Sequence, residues 1–124
     1  MGMRKRILVV DDSKTALMMT SMIVNKGSYE VVTAMDGEDG VAKAQVEHPD
    51  LILMDVMMPK MDGFEACRRL RADEGTRDIP IIIVSTRGEM GNVEVGYEAG
   101  CSDYVTKPVN SVELLAKIRN YLPD

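Results

Sequence analysis

The chain has 124 residues and a formal net charge of −5, and 45% of its residues are hydrophobic and 28% charged. This length and composition predict a single soluble globular domain over residues 1–124, with a core from about residue 5 to residue 122. Because the overall charge is acidic, we expect no direct binding to nucleic acid. The apolar runs are too short to cross a bilayer, which argues against membrane insertion.

The cysteine and histidine residues argue against a soft metal centre. Cys67 and Cys101 fit neither a metal-binding spacing nor a disulfide framework, so we expect two small buried thiols. Reduced cysteines indicate a cytoplasmic protein. The single histidine, His48, excludes a His-rich site and is expected in a solvated turn.

Short apolar runs alternate with segments of helical length along the chain. The runs are Ile7–Val10, Tyr29–Ala34, Leu51–Met54, Ile79–Val84 and Asp103–Val105. Three of them are nearly continuous Ile, Leu and Val, which is typical of parallel strands buried on both faces. The repeated alternation predicts an α/β fold, a doubly wound five-stranded parallel sheet with five helices.

Capping signals predict several of the helix boundaries. Asp62 is followed by Glu65 three residues later, and Asn110 is followed in the same way by Glu113, and both pairs have the spacing of a capping box. The glycines expected to end helices are Gly27, Gly75 and Gly100.

Polar side chains follow the predicted strands at the positions where sites form in open parallel sheets. They are Asp11, Asp12, Asp55, Ser85, Thr86 and Lys107. Three carboxylates in one small area repel each other, and a hard cation such as Mg²⁺ would offset that repulsion. A lysine and a hydroxyl beside them suit an aspartate that attacks a phosphorus atom.

Four sequence motifs resemble those of one known family. They are LVVDDS, LILMDVMMPKMDG, PIIIVST and DYVTKP, in that order along the chain. From about Lys5 to Leu122 the chain is similar to the receiver domain of two-component response regulators, in particular stand-alone, chemotaxis-type ones. The resemblance implies a flavodoxin-like (βα)5 fold with strand order 2-1-3-4-5.

The resemblance also implies roles for residues at matching positions. Asp55 matches the phospho-accepting aspartate. Asp12, Asp55 and the backbone carbonyl of Met57 match the Mg²⁺ site, with Asp11 acting through a metal-bound water and Mn²⁺ able to replace Mg²⁺. A simpler interpretation of Asp11 and Asp12 is that they cap the first helix.

Further matches concern the response to phosphorylation. Ser85 matches the switch hydroxyl, although Thr86 is the alternative, and Lys107 matches the lysine that pairs with the phosphoryl group. The Lys107–Pro108 bond is cis in the family. Tyr104 matches an aromatic switch, and its alternative is a plain core tyrosine.

The function implied is a phosphorylation-activated switch. A histidine kinase or histidine phosphotransfer protein would donate the phosphoryl group, and a downstream protein would bind the face formed by the fourth helix, fifth strand and fifth helix. Apart from intrinsic autophosphorylation and slow autodephosphorylation, no enzyme activity is expected, and Met57 and Arg87 would tune hydrolysis. The alternatives are a degenerate receiver that binds partners without phosphorylation, or a phosphatase-type hydrolase, which would need an acid where Met57 stands.

The first helix has more apolar surface than one buried face requires. Ala16, Met19, Thr20 and Ile23 fit an inward stripe at helical spacing. Leu17, Met18 and Met22 then lie outside that stripe, and we predict that they form a docking patch for the phosphodonor. The alternative is that these three residues pack against the fifth helix.

The fourth helical segment contains Gly88, Gly91 and Gly96. Each glycine inside a helix costs about 1 kcal/mol relative to alanine. We therefore expect this helix to be short or mobile. Softness there would help switching, or it would have no role.

Overall fold

The computed structural model describes residues 4–86 and 93–123. Five strands and five helices alternate within them. The strands are β1 (Arg6–Val10), β2 (Glu30–Ala34), β3 (Leu51–Asp55), β4 (Ile81–Thr86) and β5 (Asp103–Lys107). The helices are α1 (Lys14–Lys26), α2 (Gly37–Glu47), α3 (Gly63–Ala72), α4 (Val93–Ala99) and α5 (Ser111–Tyr121).

The strands form one parallel sheet in the order β2-β1-β3-β4-β5. All five residues of β3 are buried, as expected for a central strand covered on both faces. One core lies between the sheet and α2, α3 and α4, and a second lies between the sheet and α1 and α5. The predicted fold class and strand order are therefore confirmed.

The strand ends differ slightly from the apolar runs. Asp55 is the last residue of β3 itself, and β5 continues to Lys107, so both side chains are fixed by sheet pairing. β4 begins at Ile81 rather than Ile79. Two of the predicted site residues therefore belong to the sheet itself and not to the loops that follow it.

The helix N-termini are capped mainly as predicted. Asp62 and Asn110 accept hydrogen bonds from the backbone N–H groups of Glu65 and Glu113, at 2.9 and 3.0 Å. The cap of α1 is Ser13, whose hydroxyl accepts a hydrogen bond from the backbone of that helix. Asp11 and Asp12 therefore do not cap α1, and their side chains are available for other contacts.

The predicted helix ends are correct at two glycines and wrong at the third. Gly27 caps α1, and Gly100, with φ of +107°, follows α4. Gly75 does not end α3, because that helix stops at Ala72. Its cap is Asp73, whose backbone is extended and whose carbonyl accepts two hydrogen bonds from the following turn.

The predicted rotation of α1 about its axis is wrong. Leu17 is only 8% exposed and belongs to the core shared with α5, so it is not part of an exposed patch. Met19, expected to face inward, is 62% exposed. The buried residues of α1 are Leu17, Thr20 and Val24, so of the predicted inward stripe only Thr20 is fully buried as expected. Because α1 is apolar nearly all round, periodicity alone does not decide which stripe faces the sheet.

Helix α4 is short, as expected, with seven residues. Gly88 and Gly91 lie outside the described residues. Gly96 lies within α4 and packs closely, because a Cβ there would lie 3.3 Å from the Sγ of Cys101 and from the ring of Phe64. Both cysteines are buried and free.

Arg71 connects three segments at the amino edge of the sheet. From the end of α3, its guanidinium donates hydrogen bonds to the carbonyls of Arg77 and Ile79 before β4, at 2.9 and 2.6 Å. It also donates to the carbonyl of Gly100 before β5, at 2.8 Å. None of the helices in the described part of the chain combines the length and apolar character needed to cross a bilayer.

Candidate functional site: three carboxylates and a lysine at the carboxyl edge

The carboxyl edge of the sheet brings Asp11, Asp12 and Asp55 together. β1 and β3 are neighbours, so residues just after β1 lie beside the end of β3. One carboxylate oxygen from each aspartate lies within 4.8 Å of the others. The site therefore places three acids within the reach of a single small ion.

Lys107 reaches this cluster from β5, two strands away from β3. Its Nζ lies 3.0 Å from Oδ1 of Asp55 and 3.2 Å from Oδ2 of Asp11. The other oxygen of Asp11 accepts a hydrogen bond from the backbone N–H of Ser13 at 2.9 Å. The sequence did not predict the contact between Lys107 and Asp11. This contact shows that one ammonium group pairs with two carboxylates.

The three acids differ in their exposure to solvent. Asp11 and Asp55 are 4% and 5% exposed, whereas Asp12 is exposed. Burial raises the pKa of Asp55 to about 6, and the charge of Asp11 acts in the same direction against the hydrogen bond from Lys107. Burial lowers the pKa of Lys107, but its contacts with Asp55 and Asp11 outweigh that effect and raise it. The positive charge of Lys107 therefore offsets only part of the negative charge of the three carboxylates.

A glycine at the start of α3 allows the helix to approach the end of β3. The backbone N–H of Gly63 donates a hydrogen bond to the carbonyl of Val56 at 2.9 Å. A Cβ at Gly63 would overlap the backbone carbonyl oxygen of Asp55. No local sequence pattern indicates which atoms approach a glycine, so this contact could not be predicted at Gly63.

The other predicted site residues also lie at this edge. Ser85 is 5% exposed and pairs in register with Thr106 on β5. Thr86 pairs with Lys107 in the same ladder, and Met57 is 65% exposed in the segment after β3. The Lys107–Pro108 peptide bond is cis. Arg87 lies outside the described residues.

Tyr104 lies between two side chains that the sequence analysis did not identify. The ring of Tyr97 meets it edge-on, with centroids 6.4 Å apart. The Nζ of Lys117 lies 5.1 Å from the centroid of the Tyr104 ring and donates hydrogen bonds to its carbonyl and to Asp103. Tyr104 is half-buried, so it is neither a fully enclosed core residue nor a free surface one.

An apolar groove of about 210 Å³ leads to Lys107 from the side of α1. It lies between α1 and the connection from β5 to α5. Its lining consists of Ala16, Met19, Thr20, Ile23, Lys107, Pro108 and Val109. Lys107 therefore lines this groove and also contacts Asp11 and Asp55 of the carboxylate cluster.

Fold and site together define a class of protein: a doubly wound parallel sheet whose carboxyl edge brings together three aspartates, two of them buried, and a lysine. Residues 7–119 match the family model of the response regulator receiver domain, and the chain belongs to that family. The resemblance inferred from the four motifs is therefore confirmed.

Some curated relatives have nearly the same length as this chain, and others are much longer. The chain is 43% identical to protein PilH of Pseudomonas aeruginosa over 94% of its own length and 97% of PilH. It is 44% identical to the response regulator PleD of Caulobacter vibrioides over 95% of its length, but only 26% of PleD. The chain spans about half the length of several other relatives.

Solved structures share the whole fold. The chemotaxis protein CheY4 of Vibrio cholerae is 33% identical, with a TM-score of 0.89 over 96% of this chain and 99% of CheY4. The receiver domain of the sensor histidine kinase PA1611 of Pseudomonas aeruginosa is 30% identical, with a TM-score of 0.90 over 98% of this chain and 100% of that one. That receiver domain has a magnesium ion coordinated in its active-site cleft.

Proposed function

We propose that Asp55 accepts a phosphoryl group from the phosphohistidine of a histidine kinase or histidine phosphotransfer protein. The observation that carries this assignment is the position of Lys107, whose Nζ lies 3.0 Å from Asp55 within the cluster of three carboxylates. A carboxylate oxygen of Asp55 attacks phosphorus while the bond from phosphorus to the histidine nitrogen breaks. Lys107 is placed to pair with the negative charge that arrives.

The donor set fits Mg²⁺. Asp11, Asp12 and Asp55 offer hard oxygen ligands within a few ångströms of each other, and one lysine leaves their charge only partly offset. We assign Asp12, Asp55 and the backbone carbonyl of Met57 as direct ligands, and Asp11 as a ligand through water. When bound, Mg²⁺ would neutralise charge on the phosphoryl oxygens, and Mn²⁺ would serve similarly.

Ser85 and Tyr104 would change position in response to the phosphoryl group. The new charge draws in the Ser85 hydroxyl, and the side chain of Tyr104 then changes its position between Tyr97 and Lys117. A downstream protein would bind the changed face of α4, β5 and α5. The domain would act in the cytoplasm, with self-labelling and slow hydrolysis as its only chemistry.

Incubation with acetyl phosphate and Mg²⁺, followed by intact-mass analysis, tests the assignment. We expect one phosphoryl addition that is absent from Asp55→Ala and present in Asp78→Asn, which removes an exposed acid far from the cluster. Chelation of Mg²⁺ should abolish labelling. A protein that stays unlabelled would be a degenerate receiver, and rapid phosphate release without a labelled species would indicate a hydrolase.

We further propose that the phosphodonor docks on α1 beside the site. Asp55 is nearly buried, so a donor can reach it only across the carboxyl edge, and the apolar groove beside α1 opens there. Met18 and Met22, which are 65% and 58% exposed, form the patch together with Met19. Their exposure excludes the alternative that these methionines pack against α5, whereas Leu17 does belong to that core.

Replacing Met18 and Met22 by lysine tests this docking surface. We expect transfer from a phosphorylated histidine phosphotransfer domain to slow by about tenfold, because two apolar contacts are lost, while labelling by acetyl phosphate is spared. Val46→Lys is the matched control, since Val46 is 76% exposed on α2, away from the groove. Equal losses with both phosphodonors would refute the docking role.

A further inference from the structure

Among the methionines of residues 4–86, one group on α1 is well exposed and another lies in the core. Met18, Met19 and Met22 form one exposed surface on α1, here called the methionine patch, with exposures of 65%, 62% and 58%. Met54, Met58 and Met61 are 0%, 8% and 7% exposed. A reagent in solution therefore reaches the thioethers of the methionine patch and not those of the core.

Exposed thioethers react with peroxides without any activating group. The sulfur attacks one peroxide oxygen, the S–O bond forms as the O–O bond breaks, and water leaves, so each methionine becomes a sulfoxide. The product carries a strong dipole where the side chain was apolar. Leucine has a similar size and apolar character but cannot undergo this reaction.

The thiols of the protein do not compete for the oxidant. Cys67 and Cys101 are 0% and 8% exposed, and burial raises the pKa of both, that of Cys101 to about 11. Since the thiolate is the reactive form, both cysteines are poor targets for peroxide. Met57 is 65% exposed and flanks the phospho-accepting site, so it is a second target that must be separated from the patch.

The methionine patch lies where oxidation would interfere with docking. Met19 lines the groove that ends at Lys107, and Lys107 contacts Asp55. Met18 and Met22 continue the same surface along α1. Sulfoxide oxygens on this surface would lose their water when a partner helix covers them, and an unpaired polar group in such a contact is costly.

We propose that the methionine patch is a site of reversible oxidation by hydrogen peroxide that turns off phosphoryl transfer from a protein donor. This inference rests on the proposed docking function of α1. Small phosphodonors do not use the patch, so their reaction with Asp55 stays intact. Reduction by methionine sulfoxide reductases restores transfer.

The experiment uses the full chain carrying Met57→Leu, so that oxidation beside Asp55 does not contribute. Each sample is treated with hydrogen peroxide and compared with its own untreated half. The donors are acetyl phosphate and the phosphorylated histidine phosphotransfer domain that labels the untreated protein fastest in a panel. The tryptic peptide Thr15–Lys26 reports oxidation of the patch by mass.

We expect peroxide to slow transfer from the phosphotransfer domain by about tenfold, with acetyl phosphate labelling unchanged. Adding Met18→Leu, Met19→Leu and Met22→Leu should remove the sensitivity to peroxide. Met35→Leu, which removes a partly exposed methionine outside the patch, should leave it in place. The reductases should reverse the loss in the protein with an intact patch.

Three results would overturn the proposal. One is an equal peroxide effect in the triple leucine variant. Another is an oxidised patch peptide with unchanged transfer, and the third is oxidation of Met54 as readily as of the patch. Failure of acetyl phosphate to label Asp55 in the untreated protein that retains Met57 would instead contradict the proposed function.

Discussion

At the level of single residues, the proposed function requires Asp55 to be ionised, both to attack phosphorus and to bind a cation. Its pKa of about 6 lies close to neutral pH because the carboxyl group is buried beside Asp11. A modest acidification therefore protonates the very group on which the chemistry depends. The same burial keeps water away from the oxygen that would carry the phosphoryl group.

The affinity for Mg²⁺ should depend on pH through this residue. Below a pH of about 6 the proton competes with the ion for Asp55, so we expect the apparent dissociation constant to rise by about tenfold per pH unit. Above that pH it should be nearly constant. Calorimetric titrations with Mg²⁺, made at intervals of about one pH unit between pH 5 and pH 8, measure this dissociation constant. An affinity that does not change across this range would contradict the prediction.

Lys117 should control the position of the Tyr104 ring. Lys117→Met keeps an apolar stem but removes the cation that lies 5.1 Å from the ring centroid. A cation–π contact contributes about 0.5–2 kcal/mol, so the populations of the Tyr104 ring positions should shift by about 2-fold to 30-fold.

Fluorotyrosine NMR would detect the shift in the Tyr104 signal. Lys26→Met is the control, because it removes an exposed lysine at the end of α1, far from Tyr104 along the chain. The same Tyr104 signal in both variants would show that the cation does not hold the ring.

At the level of elements, the junction between β3 and α3 depends on a residue without a side chain. Gly63→Ala would push a methyl group into the carbonyl of Asp55, so either the strand end or the helix start must move. We expect a loss of more than about 2 kcal/mol in the free energy of unfolding, measured with urea.

Gly75→Ala is the matched control for this variant. The nearest atoms to a Cβ at Gly75 are 3.8 Å away, so space is available there. That substitution should be neutral or stabilise the protein by about 0.5 kcal/mol. Equal stability of the two alanine variants would show that the close approach at Gly63 has no energetic weight.

The sequence predicted the elements well and their rotations less well. Continuous Ile, Leu and Val runs identify buried strands because few other structures tolerate them. Helix α1 shows the limit of this reasoning. Leu17 and Met19 are both apolar and both fit a helical stripe, and only packing against the sheet determines which is buried. Methionine is tolerated at the surface, so hydrophobicity does not separate the two.

The residues of the site could be predicted from the sequence, but the contacts between them could not. Asp11, Asp12, Asp55 and Lys107 could be placed together because parallel strands end at one edge. The Lys107–Asp11 contact joins residues 96 positions apart and depends on the path of a long side chain. Lys117 and Tyr97 could not be assigned to Tyr104 from spacing, since three separate elements bring them together.

At the level of the whole molecule, the site reduces the stability of the fold that holds it. The pKa of Asp55 rises from 3.8 to about 6 on folding, so the folded protein binds the proton more tightly than the unfolded chain does. Stability from this group is fully present below pH 3.8 and is lost as the pH rises through about 6. At neutral pH the ionised carboxylate therefore destabilises the folded domain.

Asp55→Asn should therefore stabilise the domain at neutral pH without Mg²⁺. We expect a gain of about 2–3 kcal/mol in the free energy of unfolding above pH 7 and almost none near pH 4. Urea unfolding at each of the two pH values, with a chelator present to remove Mg²⁺, measures the gain in the free energy of unfolding. Asp78→Asn should change stability by less than about 0.5 kcal/mol at both. A gain of equal size at both pH values would contradict the electrostatic explanation.

The guanidinium of Arg71 has a mechanical consequence for the domain. It fastens the end of α3 to the chain segments that enter β4 and β5, on the edge opposite Asp55. These hydrogen bonds restrain the chain segments at the amino edge, and they do not extend to the carboxyl edge where Asp55 lies. A small displacement at Asp55 should therefore swing the loops at its own end, while the loop at Gly100 stays nearly stationary.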